Sequence, residues 1–301
     1  MTAFKAALLG RELSHSISDA LHREIFPLVG PKAPDGVATL QYDLVECPDE
    51  SSVSSWLKSA SSSGYLGANV TYPYKTQLFR SAAMHVGAAA SIGSANAVRF
   101  TGALAECGST DGAGFLSALL REYPQFDLEP YHLVIVGDGA TAKAVTFALC
   151  TKWMPLSLTI VSRTASSAKA LAEFAVAEAP GPSVATMNIN DAVNHFPESR
   201  HRLVIQATPV GQRNHPGNLL AGFAWTDRDM AIDLVYNPTQ TPILAAAASA
   251  GAKTMNGLGM LIEQAALSQV FWQNGMIPAT SPLTNDEYRS LKEKFTKHLA
   301  D

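Results

Sequence analysis

The chain has 301 residues, and 22 basic against 26 acidic side chains leave a net charge of −4. With 47% apolar and 16% charged residues it is too apolar and too weakly charged for a disordered chain, and its length fits one to three domains, with two favoured. A core of that size needs neither disulfide nor metal, and no Lys/Arg cluster marks a general nucleic-acid binder.

In chain order, short β-branched or apolar runs alternate with longer amphipathic segments. That alternation predicts βαβ units and a mostly parallel sheet. Strands are predicted at Phe4–Leu9, Leu40–Val45, Leu66–Val70 and Ala97–Phe100, with helices starting near Ser18, Ser51 and Lys75. Ser59–Ser63 reads as a loop, and Thr101-Gly102 as a hairpin turn. The uninterrupted run Leu133–Val136 is a further strand, leading into Gly137–Ala142 and a helix to about Thr151. Strands at Leu158–Val161, Val184–Met187, Leu203–Gln206 and Ile232–Leu234 continue what reads as a doubly wound domain. Ala245–Ala250 has good helix propensity. Leu258–Trp272 and about Asn285–Leu299 read as two further helices, with Pro278 and Pro282 in their connection.

The apolar run ending at Gly10 is too short for a signal peptide and reads as a buried strand. The longest uncharged stretch, Ser81–Val98, is interrupted by Gly, Ser, His and Asn and does not suit a bilayer. Cys47, Cys107 and Cys150 are scattered, without metal-ligand spacing, and read as reduced thiols. The expectation is a soluble cytoplasmic protein with no metal, no membrane contact and no nucleic-acid partner. His132, His195, His201 and His215 read as structural.

Gly137-x-Gly139-x-x-Ala142 follows a buried strand and opens a helix. The first glycine permits the tight turn, the second lets a pyrophosphate approach the backbone, and the small third residue lets the helix pack closely. The helix N-terminus then offers N–H groups to the phosphates. An acidic residue at the end of the next strand would bind the adenosine 2′-hydroxyl of NAD. The chain reads Val161-Ser162-Arg163-Thr164 there, and no Asp or Glu follows until Glu173. Arginine and hydroxyls suit a 2′-phosphate, so NADP is favoured and NAD stays open.

Three further segments bear chemistry. Ser14-His15-Ser16-Ile17-Ser18 stands at a helix start; taken alone its hydroxyls read as caps, and they also suit a carboxylate ligand. In Gly67–Lys75 a strand ends at Val70, Pro73 sets a rigid turn, and Lys75 opens a helix. A lysine there opposes the helix dipole, which makes it either a surface lysine in a polar turn or a proton carrier. Asp111, in Gly108–Gly112, is either an N-cap or the partner of such a lysine at a shared sheet edge.

Taken together and in order, these segments resemble the shikimate dehydrogenase family along nearly the whole chain. The matching pieces are His15–Ser18, Gly67–Lys75, Gly93–Asn96, Thr110–Gly112, Gly137–Gly139, Gln206–Pro209, Asp233–Tyr236 and Gly257–Gln264. The resemblance implies an α/β enzyme of two domains. Residues 1–112, completed by helices in 257–301, would form an N-terminal substrate-binding domain, and residues 113–256 a Rossmann-type doubly wound NADP domain. It implies that Ser16, Ser18, Thr71 and Tyr236 hold the carboxylate of a polyhydroxy cyclohexene carboxylate substrate. Asn96, Lys75, Asp111 and Gln264 would surround the ring hydroxyls, with Lys75 and Asp111 handling the proton. Gly137, Gly139, Ala140, Thr141, Ser162, Arg163, Thr164, Thr208 and Gly257 would bind the cofactor.

The activity implied is NADP-dependent interconversion of shikimate and 3-dehydroshikimate in aromatic amino acid biosynthesis, by a monomer or homodimer. Quinate or an aminoshikimate-type substrate, and a non-catalytic sensor on the same scaffold, are the alternatives. The chain departs from the family pattern at Asp19, Ala97, Ser109, Ser162, Ser167 and Asn256. An added carboxylate at Asp19 would disfavour an anion if it pointed into the site.

Overall fold

The computed structural model describes residues 2–31, 38–102, 104–179, 181–192 and 201–300. The chain divides into two compact units, Met1–Ser117 with Ile262–Leu291, and Ala118–Leu261 with Lys292–Asp301.

In the first unit the order is β1 (Thr2–Gly10), α1 (Ser18–Val29), β2 (Ala38–Glu46), α2 (Glu50–Ala60), β3 (Tyr65–Val70), α3 (Lys75–Ser81), β4 (Met84–Val86), α4 (Ala89–Ile92), β5 (Ala97–Thr101) and β6 (Leu104–Gly108). Helix α5 (Asp111–Glu122) begins in this unit. Among the described residues its sheet has six strands in the order β2-β1-β3-β5-β6-β4. The sheet is mixed: β2, β1, β3, β6 and β4 share one direction, and β5 alone runs antiparallel to its neighbours β3 and β6. Side chains alternate faces along a strand. On β1, Ala7 and Leu9 join one apolar cluster with Val53 and Leu78, while Ala6 and Leu8 join another with Phe26 and Trp272. Both faces are therefore covered, and helices start where local chemistry permits. The Asp49 carboxylate caps α2 by accepting from Ser52 N at 2.8 Å.

The second unit runs β7 (Tyr131–Val136), α6 (Ala140–Trp153), β8 (Ser157–Ser162), α7 (Ala165–Glu178), β9 (Ser183–Asn188), β10 (His201–Gln206), β11 (Met230–Asp233), α8 (Pro242–Ser249) and β12 (Lys253–Asn256). Helices α9 (Leu258–Asn274) and α10 (Asn285–Ala300) each divide between the two units. The six described strands pair in parallel, in the order β9-β8-β7-β10-β11-β12. This is the Rossmann order, with its switch point between β7 and β10. Every residue of β7 is buried, as a strand covered on both faces requires.

Two strands had no sequence signal. β4 and β12 are short edge strands, and their exposed or polar residues lack an apolar run. The strand predicted at Ile232–Leu234 lies instead at Met230–Asp233, where a buried carboxylate ends it. His132 bridges Ser157 and Thr159 through its two ring nitrogens, whereas His195 lies outside the described residues. Among the described residues no helix is long and apolar enough to cross a membrane.

Candidate active site

Strand direction creates the first constellation. Because β5 is antiparallel to both neighbours, its start lies beside the C-terminal ends of β3 and β6. Val70 N donates to Asn96 O at 2.9 Å, and Asn96 N donates to Gly108 O at 3.1 Å. The turn after β3, with its cis Tyr72–Pro73 bond and a Tyr74 N to Thr71 O hydrogen bond of 2.9 Å, delivers Lys75 to the start of α3. The segment after β6 delivers Asp111 to the start of α5. Lys75 Nζ donates to Asp111 Oδ2 at 2.5 Å, and the two side chains are only 14% and 7% exposed. Ion pairs shielded to this degree are screened far less than surface pairs.

A second set of polar groups stands beside them. Asn96 Oδ1 accepts from the Thr110 backbone N–H at 2.7 Å, which fixes the orientation of the Asn96 amide. Its Nδ2 then donates to Thr110 Oγ1 at 2.8 Å and to Gln264 Oε1 at 3.1 Å. Ser268 Oγ donates to Gln264 O at 2.7 Å and accepts from Asn69 Nδ2 at 2.9 Å. With that proton committed, Thr110 Oγ1 is the donor in its 3.2 Å contact with Ser268 Oγ. Asn69, Asn96, Thr110 and Ser268 are buried, while Gln264 is half-buried. Its side-chain oxygen faces Asn96. Gly114 permits this approach of α5 to α9, since a Cβ there would lie 2.8 Å from Gln264 N. Ser268 carries no signal as a site residue, because it sits in an apolar helical run, and Asn69 is singled out only as part of the Gly67–Lys75 segment.

Of the predicted hydroxyl ligands, Ser16, Ser18 and Thr71 lie at the same end of the sheet. Thr71 follows β3 and donates its N–H to Leu9 O at 2.8 Å, and Leu9 and Val70 are partners in adjacent parallel strands. Ser16 Oγ donates to Ser18 Oγ at 3.0 Å and accepts Ser18 N at 3.2 Å. Ile17 is the N-cap of α1 and makes no side-chain capping bond, so neither serine caps through the N-cap position itself. Asp19 is ion-paired with Arg23 one turn along α1, which ties its carboxylate to that helix.

In the second unit Gly137 has φ +117°, and a Cβ there would lie 3.0 Å from Thr208 Cγ2 and 3.1 Å from Ala207 O. The next glycine, Gly139, is the N-cap of α6, makes no side-chain capping bond, and has nothing within 4 Å of an added Cβ. Ala140 and Thr141 begin α6, and Ala142 is buried. The loop thus combines a filled near side, an open far side and the N–H groups of a helix start, which fits a pyrophosphate. At the end of β8, Ser162 Oγ donates to Asp138 Oδ2 at 2.5 Å and accepts Thr164 N at 3.0 Å. Arg163 and Thr164 are exposed. Thr208 N donates to Gln206 Oε1 at 2.6 Å, and Gln206 Nε2 donates to Asp233 Oδ1 at 3.0 Å, which links the two segments that follow β10 and β11. Burial pushes the Asp233 carboxyl up to about 6, against hydrogen bonds from Thr241, Val235 and Gln206. Tyr236 follows β11 and is half-buried, and Gly257 donates its N–H to Val235 O at 3.1 Å.

Residues 8–98 match the family model of the shikimate dehydrogenase substrate binding domain. Shikimate dehydrogenase (NADP(+)) of Methanopyrus kandleri is 33% identical over 273 residues, 90% of each chain. The chain belongs to the shikimate dehydrogenase family. It is an oxidoreductase of the shikimate dehydrogenase type. A shikimate dehydrogenase solved in complex with NADP+ shares 25% identity over 98% of each chain, with a TM-score of 0.79. Quinate dehydrogenase from Corynebacterium glutamicum, solved in complex with NAD, has a TM-score of 0.80 at 24% identity over 99% of this chain and 100% of its own, a likeness of fold.

Proposed function

We propose that this member of the shikimate dehydrogenase family interconverts shikimate and 3-dehydroshikimate with NADP. The reading is carried by the Lys75 Nζ–Asp111 Oδ2 contact of 2.5 Å at a shielded sheet edge. Oxidising a CH–OH group removes one proton and one hydride, and NADP, when bound, accepts only the hydride. The proton is the chain's task. The Lys75–Asp111 pair takes it from the hydroxyl, and in reduction Lys75 Nζ returns it to the carbonyl oxygen, with Asp111 holding the ammonium in line.

Positioning falls to the groups around that pair. Asn96 and Gln264 meet the ring hydroxyls, and the rigid chain from Asn96 through Thr110 to Ser268 prevents their amides from turning. Ser16, Ser18, Thr71 and Tyr236 take the carboxylate. Gly137 and Gly139 with the start of α6 take the pyrophosphate, and Arg163 the 2′-phosphate. A sensor would need the carboxylate and hydroxyl contacts but no proton carrier, so the ion pair favours an enzyme.

The test is a panel of shikimate, quinate and aminoshikimate, each with NADP+ and NAD+, followed by reduced-nicotinamide absorbance. Turnover of shikimate with NADP+ supports the proposal. Preferential turnover of quinate or aminoshikimate redirects the substrate, and absence of turnover across the panel overturns the enzymatic reading.

A further inference from the structure

An NAD-binding Rossmann domain places a carboxylate at the end of its second strand to accept the adenosine ribose 2′-hydroxyl. The segment after β8 has none, since Ser162-Arg163-Thr164 precedes α7. The carboxylate arrives from elsewhere. Gly137 N donates to Val161 O at 2.8 Å, which binds the glycine turn to the end of β8. The next residue, Asp138, is thereby carried to Ser162, whose Oγ lies 2.5 Å from Asp138 Oδ2. The Ser162 hydroxyl accepts Thr164 N at 3.0 Å, so its one proton is directed to the aspartate. Ser162 is buried and Asp138 exposed, which leaves the rest of the carboxylate facing outward. A carboxylate accepts about four hydrogen bonds, and among the described residues this one spends a single site, on Ser162.

We infer that Asp138 is a specificity residue for the cofactor, accepting the ribose 2′-hydroxyl of NAD and opposing the 2′-phosphate of NADP. The inference rests on the dinucleotide-binding reading above and deepens it. Two opposed charges then stand at the end of β8. Arg163 favours the phosphate, and Asp138 repels it while favouring the hydroxyl. The chain therefore accepts both nucleotides, with a narrower preference for NADP than Arg163 alone would produce.

The experiment is isothermal titration of the full chain with NADP+ and with NAD+, without substrate, for the wild type, Asp138→Asn and Asp138→Ala. Both substitutions fall on an exposed turn residue, and thermal melting confirms that the variants remain folded. Removing the charge tightens NADP+ and weakens NAD+, shifting the ratio of their dissociation constants by roughly tenfold or more. Ser162→Ala releases the carboxylate and shifts the ratio in the same direction by less. A ratio unchanged in both Asp138 variants, with both nucleotides still bound, overturns the role of Asp138 and leaves the dinucleotide reading standing. A wild-type chain that binds neither nucleotide removes both.

Discussion

Lys75 and Asp111 are 36 residues apart in the chain, yet their charged atoms are 2.5 Å apart in the fold. General acid/base groups contribute about 10²–10⁴-fold to rate. Lys75→Ala is therefore expected to lower kcat by that order while leaving the NADP+ dissociation constant nearly unchanged. A variant with near-normal kcat would remove Lys75 from the mechanism. Arg163 makes a separable prediction. A guanidinium recognises phosphate as a planar fork and gains nothing comparable from a hydroxyl. Arg163→Ala should weaken NADP+ by about tenfold or more and NAD+ much less, as read by titration. Equal losses for both nucleotides would contradict a 2′-phosphate contact. Lys75 was legible because its signals are local: a strand end, a proline turn and a helix start. Asp138 was not, because its partner Ser162 is 24 residues away and belongs to the next strand. Ser268 was not, because one hydroxyl in an apolar helix has no pattern.

Among elements, β10 and β11 are held together by more than their ladder. Arg202, on β10, donates through Nε to Asp229 Oδ1 at 2.9 Å and through Nη2 to Asp229 Oδ2 at 2.5 Å. Asp229 also accepts from the backbone N–H groups of Arg202 and Thr226. Burial pushes its carboxyl up, but the bonds from Arg202 and Thr226 outweigh burial and hold it below the usual range. Removing one member of such a pair strands a buried charge, at a cost of about 3–5 kcal/mol. Arg202→Met should lower the urea midpoint accordingly, whereas replacing both partners with apolar residues should recover much of the loss. A near-neutral single substitution would show that the pair is hydrated. The edge strands β4 and β12 teach the complementary lesson. An edge strand is defined by the backbone of one neighbour, which its own side chains need not record.

For the whole molecule, the clearest titration is that of Asp233. Its carboxyl rises from 3.8 to about 6 because it is buried. The folded state then keeps a proton that the unfolded chain has released, so this contribution is full below pH 3.8 and is lost as pH rises through about 6. The cost at neutral pH is on the order of 3 kcal/mol. Asp233→Asn should flatten the fall in urea midpoint across that window, with Thr241 turning its hydroxyl to accept. A pH dependence equal to that of the wild type would show that Asp233 is not the titrating group.

The sequence by itself determined the α/β class, most strands and helices, the glycine turn after β7 and the family to which the chain belongs. Those features rest on periodicity and turn chemistry, which act over a few residues. The tertiary structure alone decided that the first sheet is mixed, that Lys75 meets Asp111, and that Asp138 reaches the end of β8. Each depends on strand order and direction, which bring together residues that share no neighbourhood in the chain.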